Sequence, residues 1–267
     1  MLRQRVITAL IMAALLLSLL FWAPHSAVVV VITAVILAGA WEWSQFCGLK
    51  ALAARIGYTV LIAIAVGSAA YFAEAQPELN SRVLMIAALW WSIALIWIMA
   101  APTSINAVTA GIAGVLVLTP TWLALSALHG GGGRGSQYLL FLLVLVVAAD
   151  VGAYFAGRAF GRLKLAPRVS PGKSWEGVLG GMWAAGAVAG AGAYWFGLPK
   201  APFIALCTAV AIASVVGDLT ESMCKRHVGL KDSGSILPGH GGILDRIDSV
   251  TAASPVFALG LYWLGVL

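Results

Sequence analysis

Between residues 218 and 248 the chain carries five carboxylates, four fixed cations and two histidines, interleaved with glycines. The order is Asp218, Glu221, Ser222, Lys225, Arg226, His227, Lys231, Asp232, Gly239, His240, Gly241, Gly242, Asp245, Arg246 and Asp248. Asp245 and Asp248 are three residues apart, so on a helix they share a face. Asp218, ending a preceding apolar run, can approach the same place. Hard carboxylates beside basic side chains suit a magnesium-phosphate ligand, because Mg²⁺ takes oxygen donors and bridges carboxylates to phosphate. The same charges could instead pair as structural salt bridges that anchor two helix ends. Glycines around His240 favour the ligand reading, since they permit close backbone approach.

A second candidate stretch runs from Gly157 to Gly177 and holds Arg158, Arg162, Lys164, Arg168 and Lys173. Ser170 followed by Pro171 reads as a helix N-cap and first-turn proline, which would place Lys173 in a first turn whose free N–H groups attract phosphate. The other cations of this stretch read equally well as an interfacial patch for anionic headgroups. Three tempting motifs fail. Gly172-Lys173-Ser174 resembles the end of a Walker A loop, but Pro167 stands where the first glycine is required. Ser222-x-x-Lys225 lacks the companion motifs of a β-lactamase, and His240-Gly241-Gly242 lacks a Gly-x-Ser-x-Gly nucleophile.

These residues sit in a chain of 267 residues that is 61% hydrophobic and 10% charged. An ordinary soluble domain carries about one-quarter charged residues, so a soluble enzyme is excluded. The net charge of +6 suits loops beside an anionic leaflet. No basic run interleaved with aromatics supports a nucleic-acid partner. Cys47, Cys207 and Cys224 lie far apart without metal or disulfide spacing and read as packing residues.

A spanning helix needs about 20 apolar residues. About nine candidate runs emerge, near 6–22, 27–46, 56–73, 83–100, 105–128, 138–157, 177–197, 201–223 and 249–267. The first could serve as a signal peptide, but its length favours a retained helix. The expected fold is therefore all-α, a polytopic integral membrane protein. Residues 1–267 form a single membrane domain, with N-terminal helices over 1–137 and catalytic helices and loops over 138–267. With the N-terminus inside, thirteen of the sixteen Lys+Arg fall on the cytoplasmic side, leaving Arg82, Arg134 and Lys200 outside. The glycine stretch 130–135 becomes a flexible outer loop. Asp150 would lie about 10 Å deep in the membrane, where an ionisable group faces a cavity or a partner. Gly177-x-x-x-Gly181 and Gly186-x-x-x-Gly190 suggest close helix packing or a dimer seam.

The spacing Ser222-x-x-Lys225-Arg226-x4-Lys231-Asp232-x5-Pro238-Gly239-His240-Gly241-Gly242-x2-Asp245-Arg246-x-Asp248 resembles the signature of the phosphatidate cytidylyltransferase family. Asp150-x3-Tyr154-x2-Gly157-Arg158, continuing to Ser170-Pro171-Gly172-Lys173-Ser174-Trp175-Glu176-Gly177, resembles the same family. The similar motifs cover roughly the C-terminal 120 residues. The resemblance implies transfer of a cytidylyl group from CTP to phosphatidic acid, giving CDP-diacylglycerol and pyrophosphate, in a homodimer of the bacterial inner membrane whose active-site loops are cytoplasmic. It implies metal binding by Asp218, Asp245 and Asp248, with Mg²⁺ as cofactor and room for a second cation. Lys173, Lys225, Arg226, Lys231 and Arg246 would hold phosphate oxygens, Ser222 and His240 would give neutral hydrogen bonds, and Asp232 and Asp150 would support the site. A proton- or ion-coupled transporter with Asp150 and Asp218 as relays is the competing class, but such sites lie near the midplane rather than at one face. Another CTP-using lipid enzyme, such as a prenol kinase, shares the site logic with a different acceptor.

Overall fold

A computed structural model describes residues 2–76, 78–100, 102–234 and 241–267. Pro238, Gly239 and His240 of the signature therefore lie outside the described residues. Each of the nine apolar runs contains a helix: α1 (Leu2–Trp22), α2 (His25–Phe46), α3 (Leu52–Ala75), α4 (Glu78–Ala100), α5 (Ala107–Gly130), α6 (Gly135–Phe160), α7 (Trp175–Phe196), α8 (Lys200–His227) and α9 (Leu244–Trp263). Among the described residues, six helices (α2, α3, α4, α5, α6 and α8) are long and apolar enough to cross a bilayer. The chain is an all-α polytopic membrane protein. Of the others, α7 is built mostly of glycine and alanine, and α9 opens with Asp245, Arg246 and Asp248.

The C-terminal helices pack most closely. On α6 and α7, Gly152 lies against Gly180 and Ala184, while Gly181 lies against Ala149 and Ala153, so that a side chain at either position would collide with the facing helix. The Gly177/Gly181 motif is thus an intramolecular seam, whereas Gly186 and Gly190 face open space. Small residues are required here because apolar lipid gives no hydrophobic incentive for helices to associate, and close van der Waals approach must supply it. Helix α9 passes through the centre of the bundle with Phe257, Ala258 and Leu261 fully buried. Pro255 removes the N–H that the Thr251 carbonyl would otherwise accept from. The Thr121 hydroxyl of α5 lies 3.0 Å from that carbonyl and satisfies it. All three cysteines are free and buried, as expected of packing residues.

Two local expectations are corrected. Residues 170–174 do not begin a helix; Ser170–Ser174 forms strand β2, paired antiparallel with β1 (Lys164–Ala166), and α7 starts at Trp175. Ser174 displaces Ser170 as the cap because its hydroxyl accepts from the Gly177 N–H at 3.2 Å. That start also puts Glu176 in the first turn and keeps Gly172 out of a helix interior. The hairpin is tied to the helix where the Leu163 N–H donates to the Glu176 carboxylate at 3.1 Å. The glycine stretch 130–135 is likewise an ordered turn. Gly132 at φ 66° reverses the chain into a short 3₁₀ turn, and Arg134 donates to the Phe196 carbonyl at 3.1 Å.

Candidate functional site

Helices α6, α7 and α8 and strand β2 enclose a cavity of about 410 Å³. Asp150, Tyr154 and Arg158 of α6, Lys173 of β2 and Asp218 of α8 supply its polar lining; Ala149, Val178, Met182, Ala211 and Val215 supply an apolar wall. Lys173 reaches Asp218 with Nζ to Oδ2 at 2.5 Å, and both side chains are roughly one-quarter exposed. One turn further along α8, the Ser222 hydroxyl donates to Asp218 Oδ1 at 3.2 Å. Asp248 of α9 is within electrostatic reach of Asp218, Lys173 and Lys225. It can come that close because Gly217 leaves no Cβ between α8 and the Asp248 backbone. Asp150 is within electrostatic reach of Lys173, Asp218 and Ser249. It lies ten residues before the end of α6, about 15 Å along the helix rather than 10 Å, because α6 continues to Phe160.

A second cluster adjoins the first. Lys225, 8% exposed, lies 2.6 Å from Asp245 Oδ1 and 3.1 Å from Glu221 Oε1. Asp245 Oδ2 accepts from the Ser233 N–H at 2.9 Å, the Ser233 hydroxyl at 3.0 Å and the Gly242 N–H at 2.9 Å. Glu42, from the middle of the N-terminal half, completes it. Its Oε1 accepts from Ile243 N–H at 3.0 Å, and its Oε2 accepts from Leu244 N–H and the Ser233 hydroxyl, each at 2.9 Å. Gly241 at φ 83° and Gly242 bring the loop backbone onto these carboxylates; a Cβ on Gly242 would strike the Ser233 hydroxyl. The glycines therefore serve close approach to the protein's own anions.

The structure thus brings Lys173, Asp218 and Asp150 around one cavity, sets Ser222 and Asp248 close to Asp218, and groups Lys225 with Asp245 nearby. Arg226, Lys231, Asp232 and Arg246 are exposed around the same end of the molecule, and His240 lies outside the described residues. Sequence reasoning assigned no role to Glu42, Glu221, Ser233 or Ser249. Glu42 carried a readable signal: it is the sole acid in an otherwise apolar run from 27 to 46, and ionisable residues inside spans have partners.

The three carboxylates expected to bind metal do not form a single cage. Among the described residues no three His, Cys, Asp or Glu side chains are grouped to hold an ion. Asp245 is committed to Lys225, Ser233 and Gly242, whereas Asp248 lies within electrostatic reach of Asp218, which lines the cavity. Magnesium commonly uses one or two carboxylates plus substrate phosphates and water, so this pair fits it.

Comparison with known proteins agrees in extent with this architecture. Residues 3–264 match the cytidylyltransferase family. A phosphatidate cytidylyltransferase of Pseudomonas aeruginosa is 42% identical over 273 residues, covering 99% of this chain and 98% of that protein. One of Haemophilus influenzae is 38% identical, covering 97% and 98%, and one of Brucella suis is 35% identical, covering 86% and 91%. The match spans the N-terminal helices as well as the charged C-terminal region, and with it the chain belongs to the cytidylyltransferase family of nucleotidyltransferases.

Proposed function

We propose that the chain transfers the cytidylyl group of CTP to phosphatidic acid, releasing pyrophosphate and leaving CDP-diacylglycerol in the membrane. The observation that carries this reading is the cavity: a Lys173–Asp218 pair at a polar end and an apolar wall along α7 and α8. A phosphorylated lipid has the same two-sided character.

A lipid phosphate oxygen attacks the α-phosphorus of CTP as the bond to the pyrophosphate oxygen breaks. No general base is required, because a phosphomonoester with a second pKa near 6 is already largely ionised at neutral pH. The chain's residues have to hold polyanions together and in line. Lys173 exchanges its contact with Asp218 for a phosphate oxygen, and Ser222 gives that oxygen a neutral donor. Lys225, fixed between Glu221 and Asp245, and the exposed Arg226, Lys231 and Arg246 hold the triphosphate. Asp218 and Asp248 would hold Mg²⁺, which would supply charge compensation at the reacting phosphates. Asp150, through Ser249, keeps the start of α9 against α6.

The test uses CTP labelled at the α-phosphate, with defined lipid acceptors in mixed micelles. Label should enter the lipid phase with phosphatidate, with release of pyrophosphate. Transfer of the γ-phosphate to a prenol instead would make the protein a lipid kinase, and CTP-independent uptake in vesicles would make it a transporter.

The reading extends to topology. Nine spans with the N-terminus inside would put residues 161–174 and 228–243 in the cytoplasm, where CTP is available, of a bacterial inner membrane. The thirteen-to-three distribution of basic residues supports it. So does the hydrogen bonding, which joins Arg134 to Phe196 at one end and Glu42 to Ile243 at the other. Single cysteines at Lys164 and Lys231 should be labelled only from the cytoplasmic side and one at Gly132 only from outside; reversed labelling at any of them rejects this orientation. A homodimer is part of the same proposal, supported by the open face of α7 around Trp183, Gly186 and Gly190.

A further inference from the structure

We propose that Glu42 is a positioning residue for cytidylyl transfer, acting through Ser233 on Asp245 and Lys225. The inference rests on the function proposed above. Helix α9 begins with no side chain of its own capping its first turn. The orphan N–H groups of a helix start need acceptors, and a carboxylate there gains from the helix dipole. Glu42, 1% exposed, supplies both acceptors from a helix about 200 residues away in sequence. Its two oxygens are shared among Ile243 N–H, Leu244 N–H and the Ser233 hydroxyl.

Ser233 is the joint. Its hydroxyl stands 2.9 Å from Glu42 and 3.0 Å from Asp245, and its N–H donates to Asp245 at 2.9 Å. Asp245 in turn stands 2.6 Å from Lys225 Nζ. The packing is shaped around this carboxylate: a Cβ on Gly234 or Gly242 would meet Glu42. Gln45, one turn along α2, reinforces the hold by donating to the Ser233 carbonyl at 3.1 Å. None of Ser233, Ile243 and Leu244, which donate to Glu42, lines the cavity, so its effect on transfer passes through the start of α9 and the ammonium of Lys225.

Glu42→Gln tests this with little change of shape. One amide oxygen cannot accept from all three donors, and its NH₂ would face an N–H. Glu42→Gln and Ser233→Ala should each lower kcat by about tenfold or more while leaving KM for CTP and phosphatidate within about twofold. Acting through one joint, the double variant should be no worse than the poorer single. Hydrogen exchange in detergent provides an activity-independent reading: amides at 242–246 should exchange faster in Glu42→Gln, and those at 205–215 should not. Wild-type protein that transfers no cytidylyl group to phosphatidate would reject the proposed function, while the exchange result would still decide whether Glu42 holds this segment. Additive losses, an unchanged kcat or unchanged exchange would each overturn the proposal. Should Glu42→Gln fail to fold, Ser233→Ala decides alone: unchanged kcat overturns it, and lowered kcat at constant KM upholds it.

Discussion

Asp248→Asn is expected to reduce turnover by about a hundredfold or more and to leave a folded, extractable protein. Asp248 is within electrostatic reach of Asp218 and Lys173, and its carboxylate accepts from the Ser249 N–H at 2.7 Å. An asparagine can keep that hydrogen bond but not the negative charge. If Asp218 and Asp248 together compensate a phosphate-bound magnesium ion, the rate of the variant should rise with magnesium over a higher concentration range than in wild type. Asp245→Asn should behave differently. Asp245 neutralises Lys225, which is buried, and an amide there leaves Glu221 as the nearer counter-charge. Removing one partner of a buried ion pair is strongly destabilising, so Asp245→Asn should lower the melting temperature along with activity. Rate against magnesium concentration and thermal unfolding in detergent separate the two. Wild-type turnover and magnesium dependence in Asp248→Asn would remove Asp248 from the site and leave only a salt-bridge role for these charges.

Much of this arrangement could be read from the sequence, and the failures share a cause. The helices were legible because continuous apolar runs of spanning length have few alternatives in a bilayer, where every backbone group must find an internal partner. The signature was legible because its residues are close in sequence, from Ser222 to Asp248. What escaped depends on choices between near-equal local options or on distant contacts. Ser170 and Ser174 can each cap a helix, and only pairing with Lys164–Ala166 decides for Ser174. Gly241 and Gly242 announced close approach without saying to what, and the answer lies on α2. Glu42 is separated from Leu244 by 202 residues, so no local pattern could join them. Asp245 and Asp248 share a helix face by spacing, with Asp218 expected to approach from the preceding helix, yet Asp245 is held by Lys225, Ser233 and Gly242 while Asp248 lies in reach of Asp218.

Lys173 should separate from the other basic residues of the hairpin by orders of magnitude. It does not owe its place to a helix start; β2 carries it over the cavity mouth, where its ammonium meets Asp218. Lys164, in β1 opposite Ser174, is exposed and does not itself line the cavity. Its contribution should be to the local potential near anionic lipid, about 1 kcal/mol per residue. Lys173→Ala deletes the cation proposed to contact substrate phosphate and also takes the Lys173 ammonium from Asp218, so turnover should fall by about a hundredfold or more. Interactions of partly buried groups are screened less than those of exposed ones, whereas an exposed charge loses most of its effect beyond a Debye length of about 8 Å at physiological ionic strength. The loss in Lys173→Ala should therefore persist at high salt, while Lys164→Ala should show at most a severalfold, salt-sensitive change in KM for phosphatidate. Lys173→Arg provides a further check: it keeps the charge but replaces a compact ammonium by a planar fork, and should recover only part of the rate. Initial rates against CTP and phosphatidate in mixed micelles at low and high salt give all three comparisons. Equal, modest and salt-sensitive losses in Lys173→Ala and Lys164→Ala would mean that Lys173 only binds headgroups, and the cavity would lose its claim to the reacting phosphate.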